Sequence, residues 1–202
     1  GNPIHTEGDV VPGALTASRP LLVPEILFAG ARLEKARVRF RAIAYYGRPM
    51  VNIFRVEPAG PSTAKVDVRV RQDETEVADA QMVVSMRSDA PASAGAAIAE
   101  AADESEAERV RLFFRCLGVD PSLYFRGAGP VYPRAYLAAL PPGEMVRKYS
   151  GEGGILNALD FEFPGEAVIG ATAAPTVELE DSPRARKTFR KIIARIAEGV
   201  RT

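Results

Sequence analysis

Residues 65–72 read KVDVRVRQ, with Val66, Val68 and Val70 on one side of an extended chain and charged residues on the other. Alternation of this kind suits a strand with one face buried and one in water. Three neighbouring stretches read the same way: ARVRFRAIAYY (36–46), MVNIFRVE (50–57) and EVADAQMVVSM (76–86), separated by GRP and by a polar DET turn. Ahead of them, VPGALTASRPLLVPEILFAGA predicts a helix over 13–28, with Pro20 and Pro24 kinking or splitting it. One apolar helix followed by several half-buried antiparallel strands predicts an α+β unit, the helix packed on a curved sheet.

The rest of the chain divides around DAPASAGAAIAEAADESEAE (89–108), which holds six acidic and no basic residues. So little apolar surface reads as a linker with a short helix near its end. The expected organisation is therefore a unit at 1–88, an acidic linker at 89–108, and a second unit at 109–202. In that second unit RLFFRCLG (111–118) reads as a strand. VYPRAYLAALPPGEMVRKYS (131–150) reads as a helix broken at Pro141-Pro142, and ILNALDFEF (155–163) and ATAAPTVELE (171–180) read as strands. A shift of 121 residues sets Pro12 on Pro133, Ala17 on Ala138 and Phe40 on Phe161, a faint sign of a duplicated unit. Near the end, Ser182 and Pro183 suit a helix start, and Phe189, Ile192, Ile193, Ile196 and Val200 recur with helical spacing. A basic amphipathic helix is expected there, packed on the sheet; a sharper reading makes it a docking face for an acidic carrier protein.

Composition narrows the function. Lys plus Arg and Asp plus Glu number 26 each, which gives no general reason to expect nucleic acid or a membrane surface as partner. No apolar run spans a bilayer, no signal peptide is evident, and the single Cys116 fits a reducing, cytoplasmic setting. Cys116 itself reads as a small core residue. There is no metal-binding spacing, and YSGEGG (149–154) lacks the Lys and Ser/Thr of a phosphate loop. No cofactor is expected.

The only histidine lies in NPIH (2–5), where Pro3 fixes the backbone and Asn2 can hold the turn. An imidazole takes or gives a proton near neutral pH. Gly13 opens the predicted helix, and an unpaired amide at a helix start favours developing negative charge. Together they suit proton abstraction beside a carbonyl, although a lone histidine in such a turn is also compatible with no role.

NPIH, then VVPGALTAS, then RVRFRAIAYYGRPM resemble the MaoC-like family of hotdog-fold (R)-specific enoyl hydratases and 3-hydroxyacyl dehydratases. ALDFEFPGEAV in the second half is similar to the same strand-and-turn pattern, so the resemblance implies a double hotdog. It also implies that His5 is a catalytic acid–base residue, that Asn2 shapes the turn at the substrate, and that the Gly13 amide grips the thioester carbonyl. The implied substrate is a 3-hydroxyacyl or 2-enoyl thioester of coenzyme A or acyl carrier protein, in a polyketide or fatty-acid pathway. Tyr124, Tyr132 and Tyr136 are candidates for an acyl-tunnel wall, or plain packing residues. The family's Asp would stand five residues before His5, ahead of Gly1, and Pro12 replaces the His of the family's H-G-M element. A second reading is therefore a non-catalytic hotdog subunit of a heteromeric dehydratase, its partner supplying the Asp–His pair; the resemblance is compatible with a homo- or heterodimer. A hotdog thioesterase fits less well, since residues 13–24 hold no carboxylate.

Overall fold

The computed structural model describes residues 11, 13–28, 31–86, 104–122, 132–140, 158–163, 174–184 and 187–197. Helix α1 (Gly13–Leu27) runs unbroken through Pro20 and Pro24. Each proline removes one backbone donor from the helix, but neither splits it. Ser18 donates its hydroxyl to the Ala14 carbonyl at 2.7 Å, and the chain leaves the helix through Phe28 N–H to Pro24 O at 3.1 Å. The helix buries Thr16, Ala17, Ser18, Pro20, Leu21, Leu22 and Pro24. That wide buried surface belongs to a helix surrounded by protein, not one lying on a surface.

Four strands follow: β1 (Ala31–Phe40), β2 (Met50–Gly60), β3 (Thr63–Gln72) and β4 (Thr75–Met86). With β5 (Ala158–Glu162) they form one sheet in the order β2-β3-β4-β1-β5. The β2–β3, β3–β4, β1–β4 and β1–β5 ladders are all antiparallel. The sheet's inner face carries Leu33, Ala36 and Val38 from β1, Val66, Val68 and Val70 from β3, and Ala78, Ala80, Met82 and Val84 from β4, all buried. Three register shifts interrupt the ladders, at Leu33/Lys35, at Val70/Arg71 and at Pro58/Gly60. The first explains why the buried positions of β1 step from 33 to 36 before resuming period two. α1 packs against β1, β3 and β4. The result is the α+β arrangement expected for a hotdog, a sheet against a central helix.

The chain between β1 and β2 is pinned to the far end of β3. Buried Gln72 donates to the carbonyls of Tyr45 (2.8 Å) and Arg48 (3.2 Å), and accepts from the Tyr45 N–H at 2.9 Å. Asp73 makes the β3–β4 turn with φ 54°, a left-handed conformation that Asp tolerates.

Several expectations change. The first strand lies at 31–40 and not 36–46, because Val11 N–H and Gln72 claim the backbone of Ala44 and Tyr45 as a loop. Residues 111–118 are no strand: α2 (Glu104–Cys116) covers most of them, and begins inside the segment read as a linker. Val110, Phe113, Phe114 and Leu117 are its buried positions, a 3–4 spacing that only a helix brings to one side. Cys116 consequently faces outward and is exposed, not core. Residues 134–140 form α3, in line with the expected helix ahead of Pro141.

The terminal basic helix is also overturned. Residues 187–197 form strand β7 (Lys187–Ala197), paired along its whole length with β6 (Ala174–Arg184) in a separate two-stranded sheet. Phe189, Ile192, Ile193 and Ile196 fit the helical spacing, but β-branched and aromatic residues are equally strand formers. A hairpin partner two residues away decides between them.

Candidate functional site

The second half of the chain meets the first along β1. Strand β5 pairs with it from Lys35↔Glu162 to Arg39↔Ala158. Basic side chains of β1 face acidic ones of β5: Lys35 Nζ lies 2.8 Å from Glu162 Oε1, and Arg37 Nε lies 3.4 Å from Asp160 Oδ1. The contact holds the Glu162 carboxyl below its usual range and the Lys35 ammonium above its own. All four side chains are largely exposed, so the pairs specify register more than they add stability.

Behind this seam is a buried polar junction. Arg134, at the start of α3, is 5% exposed, an unusual place for a guanidinium. Its Nη1 donates to the Leu33 carbonyl and lies 3.6 Å from Glu34 Oε2. Its guanidinium carbon stands 5.3 Å from the centre of the Phe163 ring, a cation–π contact. Glu34 also accepts from Ser85 Oγ at 2.6 Å, and its Oε1 forms an ion pair with Arg32, whose Nε lies 3.3 Å away. Phe163 N–H donates to the Glu34 carbonyl at 3.0 Å, extending the β1–β5 seam by one bond. Burial, and then the Arg32 charge, lower the Arg134 pKa; Glu34 and Glu25 raise it.

Glu25 comes to the same junction from the last turn of α1. Its Oε1 accepts the Arg134 backbone N–H at 3.3 Å, which caps the start of α3 with a carboxylate. Its other oxygen, Oε2, is sealed from solvent and has no hydrogen-bond partner among the described residues. Burial pushes the Glu25 carboxyl up to about 7. The Arg134 and Ala135 N–H groups and the Arg134 charge pull the other way and offset it only in part. A carboxyl poised near neutrality in a dry setting can exchange a proton at physiological pH.

The residues singled out in the sequence fall in three places. Asn2 and His5 lie outside the described residues, as does Tyr124. Gly13 is the first residue of α1. Two residues before it, Val11 is buried and donates to the Ala44 carbonyl at 2.8 Å, so the entry to the helix is tied to the loop between β1 and β2. Tyr132 and Tyr136 are buried, at 2% and 8% exposed. Their rings stack at 5.6 Å, and Tyr136 meets Phe113 edge-on at 5.4 Å. They are part of the main core cluster.

The sequence reading passed over Glu25 and Arg134. Glu25 stands one residue beyond the stretch searched for a helix carboxylate. The available signal was an acidic residue in the last turn of an apolar helix, where the helix dipole disfavours it unless it has an outside partner. Arg134 carried no comparable signal, since its setting arises from contacts about 100 residues away in sequence.

No protein-family model and no curated protein sequence matches the chain. Solved structures do match its fold. The tesB protein of Mycobacterium avium subs paratuberculosis superposes with a TM-score of 0.61 at 15% identity, over 96% of this chain and 84% of that one. A proposed thioesterase from Novosphingobium aromaticivorans gives 0.58 at 13% identity, over 95% and 86%. A MaoC-like dehydratase gives 0.52 at 9% identity, over 92% and 82%. At these identities the likeness establishes the hotdog fold.

Proposed function

We propose that this chain acts on acyl thioesters, as a hydratase or dehydratase that interconverts 2-enoyl and 3-hydroxyacyl groups carried by coenzyme A or acyl carrier protein. The observation that carries the reading is the position of Gly13, the first residue of a 15-residue central helix against the sheet. Its N–H belongs to the set that a helix start leaves unpaired, at the positive end of the helix dipole. The NPIH segment precedes that helix in the sequence, at a shorter interval than the MaoC-like resemblance implies, and the fold is shared with a structure named as a MaoC-like dehydratase.

In this mechanism the thioester carbonyl accepts the Gly13 N–H. Charge that develops on the carbonyl oxygen, as the α-carbon loses its proton, is stabilised there. His5 takes that proton and returns one to the departing 3-hydroxyl. The C3–O bond breaks, the C2–C3 double bond forms and water leaves; hydration is the reverse. Asn2 holds the turn that carries His5. Where a carboxylate is needed beside His5, a partner subunit can supply it, and activity that appears only on mixing with that partner would identify this form. The chemistry fits a cytoplasmic polyketide or fatty-acid pathway.

A second reading is thioester hydrolysis, the activity named for one of the structures that share the fold. One experiment separates the two. A panel of 3-hydroxyacyl, 2-enoyl and saturated acyl thioesters is incubated with the chain, with mass and free thiol followed together. Gain or loss of water without thiol release supports the hydratase, and loss of that activity in His5→Ala assigns the base. Thiol release from saturated thioesters supports hydrolysis.

A further inference from the structure

An amide that steadies a developing oxyanion works only at hydrogen-bond distance, and a misplacement of about 1 Å costs about 100-fold in rate. The Gly13 N–H therefore needs a fixed place. α1 is held along its length by its buried side chains, but its start has a tether of its own. Val11, two residues before Gly13, is buried and donates its N–H to the Ala44 carbonyl at 2.8 Å. Ala44 is also buried, and it belongs to the loop between β1 and β2, not to either strand. The tether is only as firm as that loop.

The loop is anchored on both sides of Ala44. At the β1 end, the Arg41 and Ala42 N–H groups share the Val77 carbonyl of β4, at 2.9 and 3.3 Å. On the other side the holder is a side chain. The buried positions of β3 run Val66, Val68, Val70 and then Gln72, so a polar residue ends an apolar row where it must find partners inside the protein. Gln72 Nε2 donates to the Tyr45 carbonyl at 2.8 Å, and its Oε1 accepts the Tyr45 N–H at 2.9 Å. One amide thus answers both main-chain groups of Tyr45, as a facing residue in an antiparallel ladder would. Nε2 also donates to the Arg48 carbonyl at 3.2 Å, closing a turn in which Gly47 takes φ 75°. The charged side chains of the turn, Arg48 and Asp73, pair with each other at 3.3 Å. A glutamine supplies donor and acceptor together; an ionised glutamate lacks the donor and a methionine lacks both.

We infer that Gln72 is a positioning residue for the Gly13 amide. The line runs from the Gln72 amide to the main chain of Tyr45, from the neighbouring Ala44 carbonyl to the Val11 N–H, and so to the start of α1. Gln72 acts through these groups and takes no part in proton transfer. The inference rests on the acyl-thioester reading, since it assigns Gln72 to the site proposed there. A residue that only stabilised the fold would change how many molecules are folded. A positioning residue changes the turnover of the molecules that are folded, and leaves their affinity for the acyl chain in place.

Wild type, Gln72→Met and Gln72→Glu are compared at a temperature where circular dichroism shows each of them folded. Exchange of the Val11 amide hydrogen is followed by NMR, and turnover of a 3-hydroxyacyl thioester is resolved into kcat and KM. In Gln72→Met, Val11 is expected to exchange about tenfold faster or more while the amides in the middle of β4 do not change. Its kcat should fall about tenfold or more, with KM within about twofold of wild type. In Gln72→Glu the buried carboxyl regains a donor when it is protonated. Its kcat, taken as a ratio to wild type at each pH, should therefore rise towards wild type as pH falls from about 8 to about 5. That rescue is read within one protein and decides the matter even where Gln72→Met does not fold. With an active wild type, unchanged Val11 exchange, an unchanged kcat or a flat ratio for Gln72→Glu overturns the inference and leaves the acyl-thioester reading standing. A wild type that turns over no thioester overturns that reading, and the positioning role with it, even where Val11 loosens in the variants.

Discussion

Glu25 and Arg134 show how much a single side chain can settle when it is buried between two halves of a chain. Arg134 answers the Leu33 carbonyl, Glu34 and the Phe163 ring at once. Arg134→Ala removes the cation while the Glu25 carboxyl stays buried and Glu34 half-buried beside it, so a loss of about 3 kcal/mol is expected in denaturant unfolding. Arg134→Lys recovers only part of it, because an ammonium lacks the planar fork; equal stability of Arg134→Ala and wild type would contradict the junction. Glu25 makes a pH-dependent contribution with a definite sign. Its carboxyl binds a proton more tightly in the folded state, about 7 against an ordinary 4.5. Its effect on stability is therefore most favourable below pH 4.5 and is lost as pH rises towards 7, a change on the order of 3 kcal/mol. Glu162 has the opposite sign, since its pKa is lowered and its contribution is lost in acid. Measuring wild type against Glu25→Gln across this range isolates the Glu25 part. The difference should shift against wild type between pH 4.5 and 7.5, and a flat difference would contradict the burial of Oε2.

At the scale of elements, α1 and the inner face of the sheet hold the first half together. Leu21 is fully buried in the helix, so Leu21→Ala should cost about 2–5 kcal/mol. Ile53, 48% exposed on edge strand β2, should tolerate alanine within about 0.5 kcal/mol. Thermal melts of the two variants give the comparison, and similar shifts would mean that β2 is covered. These elements were the legible part of the sequence. Val66, Val68 and Val70 alternate so regularly that one face had to be inside, and the Pro-punctuated apolar run before them had no other place than against that face. The second half was less legible for a physical reason. In RLFFRCLG, the buried residues Phe113, Phe114 and Leu117 satisfy a helix, yet a short apolar run satisfies a strand as well. In KTFRKIIARIA the ambiguity ran the other way, and only pairing with β6 resolved it. Local pattern states what a segment can become; a partner distant in sequence states what it does become. Gly13 at a helix start was readable from its neighbours, whereas the junction of Glu25 with Arg134 was not, since the two lie 109 residues apart.

At the scale of the molecule, β5 from one half lies against β1 from the other, and the polar junction behind that seam ties the two together. A sheet against a central helix, continued across such a seam, is the frame on which an acyl-thioester site at the start of α1 is proposed. No helix among the described residues is long and apolar enough to cross a membrane. The most direct test of the proposal is turnover of a 3-hydroxyacyl thioester by the wild-type chain and by His5→Ala, followed by mass. The account predicts loss of water to the 2-enoyl thioester in the wild type, with the rate falling by about 100-fold or more in the variant. An unchanged rate in His5→Ala, or a wild-type chain that leaves every thioester in the panel intact alone and with its partner, would contradict it.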